Sequence, residues 1–240
     1  MKKAFTLAEV LITLGIIGVV AALTMPALIA KYHEKETVVK LKKVYSVLSQ
    51  AYQSASYEEG TPDNWNLYGM CSTVGAQNIL DKFAPHLNIS KNCGVETGCF
   101  PDVVYTILNG SNDTNYERNG GGCSKAKIRL SDGTLAAFDV RDVNCGLVRS
   151  DTGMSKNICG VITIDINGFK PPNQNGRDAF QFYLCKDGIV PMGTPDASAG
   201  FSFDTCLVTG YNCTAWVIYN ENMDYLHCDN LSWDGKTKCK

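Results

Sequence analysis

A single acidic side chain, Glu9, lies inside an apolar stretch near the start of the chain. The stretch covers residues 5–30, and Lys2 and Lys3 precede it. A carboxylate at the centre of a membrane costs about 2.5–3.5 kcal/mol on insertion scales, so an acid in such a segment suggests a function. The chemistry that Glu9 offers is pairing with a cation at low permittivity, where the attraction between opposite charges offsets their desolvation.

Three oxygen-bearing side chains, Asp165, Asn167 and Asp178, form a second candidate group. Asp165 and Asn167 alternate just before a glycine, and Asp178 follows in the same polar stretch. Oxygen ligands suit Ca²⁺, so a calcium site is one interpretation. The EF-hand spacing is absent, because no glutamate closes the loop and two prolines interrupt it. The alternative is a turn with Asn-Gly at its corner and an ordered loop after it.

Eleven cysteines form a third group, and all of them lie at or after Cys71. Beyond a membrane-type segment, such a cluster predicts disulfides in an oxidising compartment. Zinc is disfavoured, because the sequence contains no Cys-x-x-Cys pair. Connectivity does not follow from sequence, and the odd count leaves at least one thiol free or paired between chains. Short spacing favours the pairs Cys93–Cys99, Cys145–Cys159, Cys206–Cys213 and Cys228–Cys239.

The sequence offers little for an enzyme active site. Its histidines are His33 on a predicted helix, His86 in a predicted loop, and His227 beside a cysteine expected to form a disulfide. It contains no nucleophile elbow, phosphate-binding loop or zinc-binding helix motif. We therefore expect no enzyme and no cofactor other than the calcium considered above. A Cys–His pair that the fold brings together stays open.

The net charge and the length of the chain narrow the classes of protein to which it could belong. The chain has 240 residues and a formal net charge of -2, and loss of Lys2 and Lys3 with a leader would make it more acidic. This mild acidity argues against a nucleic-acid-binding protein, which neutralises phosphates with basic side chains. After the N-terminal helix about 180 residues remain, which is enough for one domain with its own core.

One long helix is predicted to position Glu9. At ~1.5 Å per residue, residues 5–30 would extend roughly 39 Å, which exceeds the ~30 Å hydrocarbon core of a membrane. Apolar residues then recur at helical spacing over residues 31–56, opposite a lysine-rich side. We predict a transmembrane half (5–30) and an amphipathic half (31–56), with a kink at Pro26.

Residues 57–240 are predicted to form one α+β head built on an antiparallel sheet. The clearest element is a hairpin over residues 126–140 with Asp132-Gly133 at its turn. The polar residues 109–122 lack periodicity and are predicted to form a long loop. The other predicted elements are a helix at 74–84, strands at 103–108, 161–166 and 178–185, and a strand or short buried helix at 213–220.

Three N-terminal features occur together: a short basic leader at residues 1–4, the sequence Phe5-Thr6-Leu7-Ala8-Glu9, and the apolar run. They resemble the prepilin signature of the type IV pilin and type II secretion pseudopilin superfamily. The resemblance implies that a prepilin peptidase cleaves between Ala4 and Phe5 and that Phe5 is N-methylated. It also implies that Glu9 meets the new amine of a neighbouring subunit. The family usually has glycine where this chain has Ala4.

The resemblance also carries expectations for other residues. Gly18 and Pro26 fall where pilins have a glycine and a proline that let the helix loosen in the filament. Major pseudopilins use a calcium site in their C-terminal part, which favours calcium at Asp165, Asn167 and Asp178. The implied fold is pilin-like: the long helix packs on a head built on an antiparallel sheet, and disulfides crosslink this head.

The implied function is assembly. A subunit of this family spans the bacterial cytoplasmic membrane once, with its head outside, until a membrane assembly platform lifts it among other subunits into a filament. That filament, periplasmic or on the cell surface, would be a pseudopilus for type II secretion. The alternative within the class is a minor or major type IV pilus subunit for adhesion, motility or DNA uptake.

Two alternatives belong to other classes. The first is an exported disulfide-rich enzyme or binding protein with an ordinary signal peptide. A cut after Ala30 would follow Leu28-Ile29, which is a poor match to the small-x-small pattern of signal-peptide sites. The second is a membrane-anchored protein that keeps Met1.

Overall fold

The computed structural model describes residues 6–113, 123–150 and 152–239. By internal contacts the chain divides into two units, Met1–Glu36 and Thr37–Lys240. One helix, α1 (Leu7–Glu59), contributes to both units. Its part in the first unit, residues 7–36, is called the N-terminal segment below, and residues 37–59 are called the head segment.

The end of α1 follows from local backbone chemistry. Gly60 has a φ of +77°, and its N–H donates to the Ser56 carbonyl at 3.1 Å. Glycine adopts this left-handed conformation without a steric cost and commonly closes a helix. Pro62 then begins a 3₁₀ turn. The helix therefore extends three residues beyond the predicted end at Ser56.

Within the described residues, six strands form one antiparallel sheet in chain order, and each strand pairs with the next. This arrangement confirms the α+β class and the antiparallel sheet predicted for the head. The strands are β1 (Ile89–Gly94), β2 (Ala126–Leu130), β3 (Leu135–Val140), β4 (Ile158–Asp165), β5 (Ala179–Cys185) and β6 (Gly188–Pro191).

The predicted hairpin is confirmed as β2 and β3. Its turn contains Asp132, whose Oδ1 accepts the Thr134 N–H at 3.1 Å, and Gly133, whose φ is +91°. An aspartate that binds the backbone two residues on, followed by a glycine with positive φ, is a stable short connection. The strands predicted at 161–166 and 178–185 are present as β4 and β5, with boundaries shifted by a few residues.

The two faces of the sheet differ because successive side chains of a strand point in opposite directions. Ile162 and Phe182 belong to the main core, and Tyr45 of the head segment stacks on Phe182 with ring centroids 5.6 Å apart. The other face carries Thr163 and Gln181, both buried. The head segment therefore covers one face, and the face that carries Thr163 and Gln181 is also buried.

Three shorter helices complete the described head: α2 (Thr73–Phe83), α3 (Phe203–Thr209) and α4 (Thr214–Asn220). The prediction at 74–84 is confirmed by α2, which begins where the Ser72 hydroxyl accepts the Gly75 N–H at 3.1 Å. Of the two interpretations for 213–220, the helix is correct. Trp216 is fully buried there and stacks on Phe203 at 3.9 Å.

The strand predicted at 103–108 is wrong. Within it only Thr106 makes isolated bridges. Its N–H donates to the Asn173 carbonyl at 3.1 Å, and its carbonyl accepts the Asn175 N–H at 2.9 Å. Because a neighbouring loop occupies these backbone groups, the segment does not join the sheet. Of the loop predicted at 109–122, residues 114–122 lie outside the described residues.

Candidate assembly helix and head sites

Glu9 forms a reciprocal cap at the start of α1. Its Oε2 accepts hydrogen bonds from the Thr6 N–H and the Thr6 hydroxyl, both at 2.8 Å. In return the Glu9 N–H donates to the Thr6 hydroxyl oxygen at 3.2 Å. This is a capping box, which satisfies N–H groups that have no partner inside the helix. The sequence contains the signal for this cap, a threonine three residues before an acid and an apolar run, although the prediction for Glu9 did not include it.

The other residues predicted to take part in assembly precede Glu9 or follow it along α1. Ala4 and Phe5, the predicted cleavage and methylation positions, lie outside the described residues. Helix α1 passes through both Gly18 and Pro26. A Cβ added at Gly18 would meet no atom within 4 Å, so packing within this chain does not require glycine there. Proline lacks an N–H, so Pro26 cannot donate the usual bond to the preceding turn.

The N-terminal segment contains the one span of membrane length found among the described residues. By length and composition α1 could cross a membrane, and its most apolar 18-residue window has a mean hydropathy of 2.3 with no residue buried. A core helix of a soluble protein would bury such a window. The apolar side chains of the segment, Leu14 and Ile17 among them, are instead exposed.

The head segment is held in the head by a stripe of buried apolar residues and by hydrogen bonds and ion pairs. Tyr52 donates its hydroxyl to the Lys186 carbonyl at 2.5 Å, and Lys43 pairs with Asp132 at the β2–β3 turn at 2.8 Å. Lys42 pairs with Glu221. The buried residues recur at helical spacing, as an amphipathic helix requires. They are Val38, Leu41, Val44, Leu48, Ala51, Tyr52 and Ala55.

The structure brings the predicted oxygen group together. The Asn167 side-chain NH₂ donates to Asp178 Oδ2 at 3.0 Å, and the Asn167 backbone N–H donates to Asp165 Oδ1 at 3.1 Å. Asp165 Oδ2 accepts the Tyr105 hydroxyl. Asp178 also accepts backbone N–H groups on each oxygen, at 2.8 and 2.7 Å. The sequence did not reveal Tyr105, which lies in the segment wrongly predicted as a strand.

Burial sets the electrostatics of this group. The pKa of Asp165 is raised to about 7, mainly because the carboxyl is buried away from water; the Tyr105 hydrogen bond opposes this rise, and the neighbouring Asp178 carboxylate adds to it. Burial also raises the pKa of Asp178. A carboxyl with a pKa near 7 exchanges its proton around neutral pH.

The oxygen group fits an ordered turn. Ca²⁺ takes about six to eight oxygen ligands, whereas N–H or O–H donors already occupy every carboxylate oxygen of Asp165 and Asp178. Among the described residues no group of three or more His, Cys, Asp or Glu has a metal-binding arrangement. Calcium at this loop stays a prediction, for which the side chains would have to exchange these donors for the ion.

All four predicted cysteine pairs lie at bonding distance. A fifth pair, Cys71–Cys123, joins positions 52 residues apart, a separation at which sequence spacing gives no signal. Across the five pairs the sulfur atoms are 1.87–2.25 Å apart. Cys185 is the free cysteine and is buried. Burial raises the pKa of its thiol to about 12, so the thiol stays protonated and unreactive.

Two of the histidines lie near acids. His33 is 3.4 Å from Glu36, and His86 is 3.4 Å from Glu58. Both pairs are ionic only when the histidine is protonated. The Glu36 side chain is 39% exposed and the Glu58 side chain is 58% exposed. These are surface pairs of the kind that contribute about 0–1 kcal/mol to stability.

The chain was also compared with known proteins. No protein-family model, curated protein or solved structure matches it.

Proposed function

We propose that the chain is a pilin-like structural subunit that assembles into a pseudopilus for type II protein secretion. A prepilin peptidase would cleave between Ala4 and Phe5, and the subunit would then wait in the cytoplasmic membrane for the assembly platform. The observation that carries the proposal is the contrast within α1. Residues 7–30 of its N-terminal segment expose apolar side chains around a single acid, and its head segment buries an apolar stripe in the head.

The exposed apolar surface supports assembly by simple energetics. Each Å² of apolar surface removed from water is worth about 25 cal/mol. A helix that is apolar all round is stable only in lipid or among other apolar helices. Lipid would cover the segment before assembly, and the same segment of neighbouring subunits would cover it in a filament.

Glu9 would supply the register of assembly. In the proposed mechanism, cleavage creates an amine at Phe5, and a subunit entering the filament brings that amine to the Glu9 of its neighbour. Opposite charges at low permittivity attract strongly enough to offset desolvation when the geometry is good. Both hydrogen bonds from Thr6 converge on Oε2, so an amine could reach Oε1 without displacing the cap.

The proposed orientation places the head outside the cytoplasm. The two lysines before the apolar run favour a cytoplasmic N-terminus. Five cysteine pairs at bonding distance in the second unit suit an oxidising compartment, where disulfides persist.

A pair of variants separates the charge of Glu9 from its capping role. Glu9→Gln keeps an oxygen that can accept from Thr6 but removes the charge, whereas Thr6→Ala weakens the cap and keeps the charge. We expect Glu9→Gln to abolish crosslinking between neighbouring N-terminal segments in cells, and Thr6→Ala to retain most of it. Equal crosslinking of Glu9→Gln and the parent chain, at equal protein levels, would refute the assembly role.

Deletion of the gene distinguishes the two filament types. Loss of secreted proteins with intact surface fibres supports the pseudopilus, and loss of surface fibres with intact secretion supports a type IV pilus subunit. Normal secretion and normal fibres would instead favour the exported or anchored head protein.

A further inference from the structure

A cavity of about 320 Å³ lies on the sheet face opposite the head segment. It is lined there by Val161, Thr163, Gln181 and Tyr183, which alternate along β4 and β5 with side chains of the main core. Small-molecule sites typically measure about 300–1,000 Å³. The lining includes none of the residues assigned above to assembly, to the oxygen group or to a cysteine pair, so the cavity needs an explanation of its own.

Three cations line this cavity. Lys125 directly precedes β2, Arg141 directly follows β3, and Arg149 lies in the loop between β3 and β4. These positions lie in different parts of the sequence, and the fold brings them around one cavity. Because charges interact more strongly where water is restricted, a cavity with several cations favours an anionic ligand.

The cations are not equally available to a ligand. Arg141 is committed to Asp139, which is fully buried and accepts from its Nε at 2.6 Å and its Nη2 at 3.1 Å. A second carboxylate, Asp113, accepts a hydrogen bond from a lining tyrosine. Neither acid lines the cavity. Arg149 lies over the Phe201 ring, with its guanidinium carbon 4.3 Å from the centroid, so we expect Arg149 to receive the anion.

Three lining side chains carry a polar atom that lacks a hydrogen-bond partner within the described part of the chain. The atoms are Gln181 Oε1, the Tyr183 hydroxyl oxygen and Asn212 Oδ1, in residues that are 3%, 4% and 2% exposed. Burial raises the pKa of Tyr183, so its hydroxyl remains a donor at neutral pH. Buried polar groups without partners are rare and destabilising, and a ligand that supplies the partners explains why they persist.

An apolar part of the wall is formed by Leu147, Val161, Met192 and Phe201, beside threonine and tyrosine side chains that also line the cavity. The cavity therefore combines cationic side chains, amide oxygens that lack a hydrogen-bond donor, and an apolar surface. We infer that it binds the carboxylate of an apolar amino-acid residue whose nitrogen is acylated, either a free N-acyl amino acid or the last residue of a peptide.

Each part of this ligand has a partner on the wall. The carboxylate would bind the Arg149 guanidinium and accept from the Tyr183 hydroxyl, which are charge-assisted hydrogen bonds. The amide N–H would donate to Gln181 or Asn212, and the apolar side chain would lie against Leu147. A free amino acid is disfavoured, because its ammonium group would face the cations. Inorganic phosphate is disfavoured, because it leaves the apolar wall uncovered.

Calorimetric titration of the full chain in detergent, with its disulfides intact, tests the inference without requiring filament assembly. We expect N-acetyl-leucine to bind in a 1:1 complex, and N-acetyl-leucinamide, leucine and phosphate to bind at least tenfold more weakly. An acetylated tripeptide that ends in leucine identifies the source: tighter binding than N-acetyl-leucine indicates a peptide terminus, and weaker binding a free acyl amino acid. No binding of N-acetyl-leucine, or equal binding of the amide, would overturn the inference.

Variants assign the roles within the site. Arg149→Gln should weaken N-acetyl-leucine binding at least tenfold, and Arg177→Gln, the same change at an exposed arginine outside the cavity, should not. Tyr183→Phe should weaken binding several-fold without lowering the Tm, because the deleted hydroxyl has no partner in the described head. Equal affinities for Arg149→Gln and Arg177→Gln would contradict the assignment.

Discussion

The two segments of α1 belong to one helix but differ in how far their apolar side chains are buried. In the N-terminal segment Leu14 is 60% exposed, whereas in the head segment Leu48 is fully buried. The head segment meets a sheet that the same chain supplies. The apolar side chains of the N-terminal segment remain exposed in the described part of the chain. This difference is the basis of the proposal that lipid, and later other subunits, cover the N-terminal segment.

The largest expected effect comes from the same substitution in each segment. Leu48→Ala removes a side chain from a closed core and should cost about 2–5 kcal/mol of head stability. Leu14→Ala makes the identical change at an exposed position and should cost about 0.5 kcal/mol or less. Denaturant unfolding of the full chain in detergent, followed by tryptophan fluorescence, measures both values. Similar losses at the two positions would remove the distinction between the segments.

The head should depend on its disulfides, whereas the N-terminal segment contains none. Replacing Cys145 and Cys159 together by alanine opens a loop of about 15 residues and should cost about 3 kcal/mol in the chain-entropy description. Cys185→Ala is the matched control, because it removes a buried thiol that forms no bond. The prediction fails if the control loses as much stability as the double variant.

The buried carboxyl of Asp165 should make the stability of the head depend on pH around neutrality. Its pKa of about 7 lies above the ordinary value of 3.8. Between those values the folded state holds a proton that the unfolded state has released, so stability falls as the pH rises. Asp165→Asn should flatten this fall when both proteins are unfolded with a chelator present. Identical slopes would show that Asp165 titrates normally.

Adding CaCl₂ to the same two proteins tests whether Asp165 binds calcium. A bound cation would favour the ionised form of Asp165 and raise the Tm of the parent chain, but not that of Asp165→Asn. The hydrogen-bonded turn alone predicts no response to CaCl₂ in either protein.

The smallest effect concerns the ion pair between Lys43 of the head segment and Asp132 of the β2–β3 turn. The two side chains are 61% and 39% exposed, and such pairs contribute about 0.2–1 kcal/mol. A double-mutant cycle with alanine at both positions should give a coupling energy in that range, and it should shrink at high salt. A coupling well above it would mean that this pair, and not apolar burial, holds the head segment in place.

Local signals in the sequence were sufficient for part of the fold. Alternation around Asp132-Gly133 identified the hairpin, and helical spacing identified the head segment. Cysteine pairs close in sequence were found because their loops are short. The run at 103–108 failed because its apolar composition matches that of a strand, while its hydrogen bonds go to the loop at Asn173 and Asn175.

Features that depend on residues far apart were not accessible from the sequence. Cys71 and Cys123 come together only after the head has folded. The cationic cavity requires β2, β3 and a loop to deliver Lys125, Arg141 and Arg149 to one wall. Glu9 is the reverse case, since its position inside an apolar run made it visible at once. Its capping bond with Thr6 is equally local, because a threonine three residues before an acid is the sequence pattern of a capping box.

Mass spectrometry of the mature protein purified from its native membranes tests the central claim most directly. The account predicts that the chain begins at Phe5 and carries an N-methyl group there, since cleavage after Ala4 creates the amine that Glu9 is proposed to bind. A chain that still begins at Met1, or one that begins near Lys31, would contradict it.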